Sequence, residues 1–180
     1  MFRDQSLIPS EAVRLAALGF LAEAPRRYGE LAAEIRHFTS CVAGPSLELM
    51  GSSLELLRLE GLVAAAGVAG TDDPTLAITE AGRQALVLLL KARLRAPLGD
   101  YNRLALLLKL RFLDLLPREE REAQMALIAE SVENELARLQ DLRRRESQAP
   151  HLRSWIDQDI VALEARLQAL RAQTLASAAQ

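Results

Sequence analysis

The sequence predicts a mostly helical protein in which a winged helix-turn-helix domain precedes a domain of long helices. Three observations support this fold class. Strong helix formers, Leu and Ala above all, dominate a chain of 180 residues, of which 50% are hydrophobic and 4% aromatic. Two short strand patterns, separated by a turn that contains Gly and Asp, interrupt the helical patterns between residues 62 and 79. Beyond residue 117, two segments repeat apolar residues near heptad spacing.

Three helices are predicted in the first 60 residues. Ser10 is a candidate N-cap for the first helix, and Pro25 ends it. A turn is expected between the second and third helices, and Gly61 is the expected C-terminal stop of the third. The predicted segments run from Ser10 to about Ala24, from Tyr28 to Phe38 and from Ser46 to Gly61, with the turn at Cys41–Pro45.

Two strands and a fourth helix follow. The strands are Leu62–Val68 and Thr75–Thr79, and the Gly, Asp and Pro residues between them suit a hairpin turn. The motif Thr-Glu-Ala-Gly-Arg, which begins at Thr79, then opens an apolar helix that ends near residue 95. Three short helices, a β-hairpin and a helix are the order of a winged helix-turn-helix domain, which we assign to residues 1–96.

Residues 97–180 are predicted to form a helical dimerisation domain. After a boundary at Pro97–Asp100, an apolar segment is followed by two long helices, from Arg118 to about Glu146 and from His151 to about Leu175. The apolar residues of each long helix form a seam, and a small domain cannot bury two such seams by itself. We therefore expect a homodimer that packs through these helices.

Composition and motifs argue against an enzyme, a metal protein and a membrane protein. The sequence has no Gly-rich phosphate loop and no nucleophile elbow, and one Cys and two His are too few and too dispersed for a zinc site or a catalytic triad. The apolar runs are too short to span a bilayer, and the first residues lack the order of a secretion signal. Because the lone Cys41 cannot form an internal disulfide, we expect a cytoplasmic protein. From the missing motifs we expect no cofactor.

Several motifs resemble the PadR-like family of bacterial transcriptional regulators. They are AALGFLAEAPRRYGELAAEI (16–35), SLELMGSSLELLRLEGLV (46–63), AITEAGRQAL (77–86), and the tail segments LLLKLRFLDLLPREEREAQM and HLRSWIDQDIVALEARLQALR. The tail segments are similar to the branch of the family with a long C-terminal dimerisation domain. The resemblance spans roughly residues 8–175. It implies a homodimeric regulator that binds double-stranded DNA and can respond to an effector.

The resemblance implies DNA contacts on the third helix and at the start of the second. The residues available there are Arg26, Arg27, Tyr28, Ser46, Ser52, Ser53 and Arg58. The chain departs from the family pattern at Gly51, where a Tyr is common, and at Asp72 and Asp73, where the wing tip is usually basic. Trp155 is the candidate effector-binding residue on the last helix, and packing in a dimer core is the alternative role for it.

The charge distribution supports a second interpretation. Residues 1–90 contain seven Arg, no Lys and eleven acidic residues, a net charge of −4, whereas residues 91–180 contain fifteen basic and thirteen acidic residues, a net charge of +2. The half with the DNA-binding pattern is thus acidic, in contrast to the usual basic footprint. The alternative function is a winged helix that binds a protein partner through its acidic third helix or through exposed apolar seams.

Overall fold

A computed structural model of the protein describes residues 9–43, 50–66, 73–94, 100–146 and 148–178. Within these residues it contains seven α-helices, a short 3-10 helix and a three-stranded antiparallel sheet, which confirms the predicted mostly helical winged-helix fold class. The elements are α1 (Pro9–Glu23), β1 (Arg26–Arg27), α2 (Tyr28–Ala43), α3 (Met50–Leu59), β2 (Val63–Ala66), β3 (Thr75–Ile78), α4 (Glu80–Lys91), α5 (Asp100–Arg111), the 3-10 helix (Leu113–Leu115), α6 (Arg118–Arg145) and α7 (Pro150–Ala178). They form two compact units, which divide between residues 116 and 117.

The first unit is built around α1. Apolar side chains occur all round this helix, and a helix of that kind must be covered on every side. The buried ones are Ala12, Val13, Leu15, Ala16, Ala17, Leu18, Phe20 and Leu21. Helices α2, α3, α4 and α5 and strand β3 all pack against α1. The core of the first unit therefore surrounds α1.

The end of α3 directs the chain into the wing. Gly61 has a φ of 71°, the left-handed conformation that Gly adopts without a steric penalty. Its amide donates to the Arg58 carbonyl oxygen at 3.0 Å, and the Leu62 amide donates to the Leu57 carbonyl oxygen at 2.9 Å. These two bonds form a Schellman motif. The prediction that Gly61 ends the third helix is confirmed.

The Thr-Glu-Ala-Gly-Arg motif joins the wing to α4. The Thr79 hydroxyl caps α4 by accepting a hydrogen bond from the Gly82 amide at 3.0 Å, and it donates to the Gly61 carbonyl oxygen at 2.8 Å. Gly82 lies against the Leu62 carbonyl, and a Cβ at residue 82 would be 2.1 Å from that oxygen. The motif therefore holds α4 against the start of the wing, because only Gly fits at residue 82.

The sheet has the strand order β1-β3-β2, and both pairs are antiparallel. Strand β3 pairs with β2 from Val63↔Ile78 to Ala66↔Thr75, and with β1 through Arg26↔Leu76 and Arg27↔Thr75. The sequence predicts the β2–β3 hairpin but not β1. Two residues are too few to carry an alternating pattern, and β1 exists only because it pairs with a strand far along the chain.

Helix α5 belongs to the first unit because it packs against α1 and α2. Just beyond its end, the Phe112 ring meets the Phe20 ring edge to face, with 5.1 Å between the ring centroids. Gly19 permits this contact, since a Cβ there would lie 2.5 Å from the Phe112 ring. The sequence places the domain boundary at residues 96–97, so α5 lies in the predicted second domain but in the observed first unit. The assignment of DNA binding to residues 1–96 and of dimerisation to residues 97–180 stays a prediction.

The second unit is an antiparallel hairpin of α6 and α7. Arg143 pairs with Asp157 near the connection, and Glu133 pairs with Arg171 farther from it, with 2.6 Å between charged atoms. The hairpin also contains an apolar cluster of Val132, Leu163 and Leu167, with Ala129, Leu136, Leu139 and Leu170 packed against it. Most residues of the two predicted seams thus pack against each other within one chain. The homodimer expected from these seams stays a prediction.

Two helix ends differ from the predictions. Helix α2 continues to Ala43 rather than ending at Phe38, so Cys41 is exposed on a helix and not in a turn. No Gly or Pro occurs before Gly44 to interrupt it. Helix α4 ends at Lys91 rather than near residue 95, because Ala92 adopts an extended conformation.

Candidate nucleic-acid interface

Two hydrogen bonds connect the wing to the start of α2. The Tyr28 amide donates to the Pro74 carbonyl oxygen at 3.0 Å, and the Gly29 amide donates to the Asp73 carboxylate at 2.8 Å. Both amides lie in the first turn of α2, where N–H groups have no partner within the helix. Asp73, predicted only as an acidic wing-tip residue, therefore caps α2. Asp72 lies outside the described residues.

Arg27 is the more exposed of the two adjacent arginines, with 60% of its side chain accessible against 27% for Arg26. It forms an ion pair with Glu30, one turn along α2, and its Nε donates to the Glu30 carboxylate at 3.0 Å. The hydrogen bond and the charge of Glu30, and more weakly the charge of Asp73, raise the pKa of Arg27. The same hydrogen bond lowers the pKa of Glu30. Both groups are therefore ionised at neutral pH, and their charges cancel locally.

Arg26 has contacts that belong to the fold. Its guanidinium lies 2.8 Å from the Glu34 carboxylate and 3.5 Å from that of Glu23, and its Nε donates to the Phe20 carbonyl oxygen at 3.3 Å. The same guanidinium lies 5.7 Å from the centre of the Phe20 ring. A cation at this carbonyl near the C-terminus of α1 interacts favourably with the helix dipole. Arg26 thus links the end of α1 to α2 and stabilises the first unit.

The described part of α3 buries one face and exposes an apolar and charged one. Leu54 and Leu57 are buried, as predicted, whereas Leu56 and Leu59 are 49% and 82% exposed. Arg58 lies 3.3 Å from the Glu55 carboxylate, one turn earlier in α3. The outer face of α3 therefore presents leucines next to a neutralised ion pair, and not a free positive charge.

The remaining predicted site residues are three serines and Trp155. Ser46 lies outside the described residues, and Ser52 and Ser53 lie within α3 without described side chains. Trp155 is on α7, where 68% of it is exposed, so it does not pack in the core of its own chain. An open groove of about 630 Å³ on α7 is lined by its neighbours Ser154 and Asp157, but not by Trp155 itself.

The sequence interpretation missed two partners around the wing and α2. Glu30 stands three residues after Arg27, a spacing that signals an ion pair on a helix. No local signal indicates that Asp73 caps α2, because the two are distant in sequence. Within the described ranges, no three His, Cys, Asp or Glu side chains are grouped as a metal ion would require, and no helix is long and apolar enough to cross a bilayer.

Comparison with known proteins decides the family. The sequence model of a family described as "Putative AphA-like transcriptional regulator" matches residues 2–174, nearly the whole chain. The chain belongs to this family. AphA-like membership makes the protein a transcriptional regulator rather than an enzyme, and it confirms the predicted resemblance to PadR-like winged-helix regulators.

Two solved structures are similar to this AphA-like chain over most of its length. One is smu.1604c from Streptococcus mutans UA159, which is 18% identical, with 89% of this chain and 96% of that chain covered and a TM-score of 0.39. The other is Bacillus subtilis PadR in complex with operator DNA, which is 15% identical, with 91% and 98% covered and a TM-score of 0.40. No curated protein matches the sequence.

Proposed function

We propose that this AphA-like regulator binds double-stranded DNA as a homodimer, and that the wing, α3 and the start of α2 form the DNA-binding surface. The observation that carries the proposal is the small sheet, in which β1 joins the start of α2 to wing strand β3. Because of this pairing, the exposed Arg27 and the wing belong to one rigid surface. Contacts from two elements to the DNA backbone require that rigidity. We expect the protein to act in the bacterial cytoplasm, where its target would be.

The proposed contacts divide by chemistry. Arg27 would bind a phosphate, and Arg58 would bind a phosphate or a guanine edge. Hydroxyl groups and backbone amides would supply further phosphate contacts. The complete proposed set is Arg26, Arg27, Tyr28, Ser46, Ser52, Ser53 and Arg58. Since few of these residues are cations, the affinity should depend only weakly on salt concentration.

A titration at several salt concentrations tests DNA binding. The purified chain is titrated with its own upstream DNA and with a random-sequence duplex, and a preferential complex with the upstream DNA is expected. Arg27→Ala should weaken binding to the upstream duplex and reduce the salt dependence of that complex by about one phosphate equivalent per protomer. The matched control is Arg118→Ala, because Arg118 also forms an exposed ion pair with a Glu a few residues later, but in the second unit.

The surface of α7 opposite its buried residues supports dimerisation. Ile156, Leu163 and Leu167 face the core, and the other side of the helix carries an exposed row without a single charge. The row consists of Ser154, Trp155, Gln158, Val161, Ala162, Ala165, Ala169 and Ala172. A long charge-free face on an exposed helix, rich in small residues, suits close packing against a second helix. We propose that two copies pair through it.

Adding a charge within this row tests the dimer. Ala165→Glu should convert the dimer into a monomer at micromolar concentration, because two copies of the carboxylate would be buried in the interface. Gln140→Glu is the control, since it adds the same charge at an exposed position of α6. Analytical ultracentrifugation measures the oligomeric state. A wild-type chain that is monomeric at these concentrations contradicts the proposal.

Trp155 reports on the same surface. As the only Trp of the chain, it gives an unambiguous fluorescence signal, and it lies within the proposed interface. Its emission should shift to longer wavelength when the dimer is diluted or when Ala165→Glu is introduced, because the ring then becomes hydrated. A role of Trp155 in effector binding would instead appear as quenching by a flat aromatic ligand without a change of oligomeric state.

The exposed leucines of α3 favour a second candidate function. Leu56 and Leu59 stand beside Glu55 and Glu60, so this helix offers an apolar and acidic surface that suits a protein partner. Glu60 forms a bidentate ion pair with Arg14 of α1. This pair connects the end of α3 to α1 and so orients the exposed surface of α3. A folded dimer that forms no complex with either duplex at low salt would favour this alternative over DNA binding.

A further inference from the structure

Each predicted DNA-contact arginine with a described side chain has a carboxylate partner within its own unit. The pairs are Arg26 with Glu23 and Glu34, Arg27 with Glu30, and Arg58 with Glu55. A carboxylate beside an arginine competes with a DNA phosphate for the same guanidinium. The exposed cations of this surface are therefore not free to release counterions from DNA without first losing an internal partner.

Arg27 is the clearest case because two carboxylates from different elements act on it. Glu30 comes from the first turn of α2, directly after the strand that contains Arg27, whereas Asp73 comes from the wing and is held in position by the Gly29 amide at 2.8 Å. The charges of both residues stabilise the Arg27 cation. Arg27 therefore interacts electrostatically with two negative charges that lie on the α2–wing surface proposed to contact DNA.

We propose that Glu30 and Asp73 lower the affinity of this regulator for random DNA by making every phosphate contact of Arg27 compete with an internal carboxylate. The inference rests on the proposed DNA-binding function. Phosphate contacts supply almost all of the affinity for random DNA, whereas operator affinity also includes base contacts. A penalty on the Arg27 contact therefore lowers the binding constant for random DNA, and in a protein with few cations the loss of one phosphate contact removes a large share of that affinity.

Removal of either carboxylate tests the inference. Glu30→Gln should tighten binding to a random-sequence duplex by about eightfold per protomer at about 0.1 M salt, the gain expected for one freed phosphate contact. The slope of the logarithm of the binding constant against the logarithm of salt concentration should steepen by about 0.9. A change in this slope reports a gained phosphate contact, which a merely structural change in the fold would not produce.

Asp73→Asn separates the charge of Asp73 from its role as a cap. The Asn amide oxygen can still accept the Gly29 hydrogen bond, so α2 keeps its partner while one negative charge disappears. The variant should also bind random DNA more tightly, by a smaller factor than Glu30→Gln because Asp73 acts on Arg27 by charge alone. Glu122→Gln is the matched control, since it removes an equal charge from an exposed Arg–Glu pair on α6 in the second unit.

The outcomes are distinct. The inference is supported if Glu30→Gln and Asp73→Asn bind random DNA more tightly and with a steeper salt dependence, while Glu122→Gln binds it as the wild type does. This holds even if the wild-type chain binds random DNA too weakly to measure. If the wild type binds DNA and both variants show the same affinity and the same salt slope as the wild type, the inference is overturned and the proposed function remains intact. No complex with any of these proteins at low salt, while circular dichroism shows native helix content, overturns both.

Discussion

Replacement of Gly82 by Ala should destabilise the first unit by about 1–4 kcal/mol, although Ala is the better helix former. A Cβ at residue 82 would be 2.1 Å from the Leu62 carbonyl oxygen and 2.7 Å from the Ile78 side chain. The oxygen belongs to the backbone and cannot rotate away, so α4 and the wing must separate by roughly 1 Å, and overpacking of this kind costs about 1–3 kcal/mol. The Leu62 carbonyl also accepts the Thr79 amide at 3.0 Å, and loss of that bond adds about 1 kcal/mol. The gain in helix propensity offsets up to about 1 kcal/mol.

Gly29→Ala is the matched control for this prediction. Like Gly82, Gly29 lies in a helix, but it is exposed. The nearest neighbour of a Cβ at residue 29 would be the Asp73 carboxylate at 3.5 Å, an ordinary van der Waals distance. We expect its effect to stay within about 0.5 kcal/mol. Hydrogen exchange measured on peptides from α1 and α4 during urea unfolding reports the first unit separately from α6 and α7. If Gly82→Ala proves as stable as Gly29→Ala in that assay, the close approach of α4 to the wing does not exist as described.

Three further changes test other parts of the fold. Burial lowers the pKa of Lys109 to about 8 from 10.5. Between these pH values the unfolded chain binds a proton that the folded chain has released, so the stability of the wild type should rise with pH relative to Lys109→Met, by up to about 3 kcal/mol in urea unfolding, and a pH-independent difference would contradict this. Gly61→Ala should cost about 1–2 kcal/mol of unfolding free energy through its positive φ alone, since no atom lies within 4 Å of the added methyl group, and Gly61→Asn should cost less. Val132→Ala should lower the thermal midpoint of the α6–α7 hairpin, in line with a loss of about 2 kcal/mol, whereas alanine at the exposed Glu133 should cost less than half of that.

Local patterns were sufficient for most of the secondary structure. Pro25 and Gly61 end helices as predicted, because the effects of Pro and Gly on the backbone need no distant partner. The hairpin and the capped start of α4 were also predicted, since an N-cap such as Thr79 acts within three residues. The burial of Leu54 and Leu57 followed from helical spacing alone.

The candidate site was predicted only as a set of residues. That Arg27 is exposed and paired could be suspected from Glu30 nearby, but the second carboxylate, Asp73, reaches α2 from the wing. Arg26 was grouped with Arg27 because the two are adjacent in sequence. In a strand, adjacent side chains point to opposite faces, so Arg26 joins the network of Glu23 and Glu34 while Arg27 stays accessible.

By itself, the sequence determined the type and order of most helices and strands, which faces are apolar, and that the chain is a winged-helix regulator of transcription. These properties depend on residues a few positions apart, and their spacing can be read directly from the sequence. Only the tertiary structure decided that β1 exists, that α5 packs with the first unit and that the two long seams cover each other. It also decided which arginines of the described residues pair with a carboxylate far along the chain, as in the pair of Arg111 with Glu23. Such contacts join segments that are distant in sequence, and their energies arise only after folding has brought those segments together.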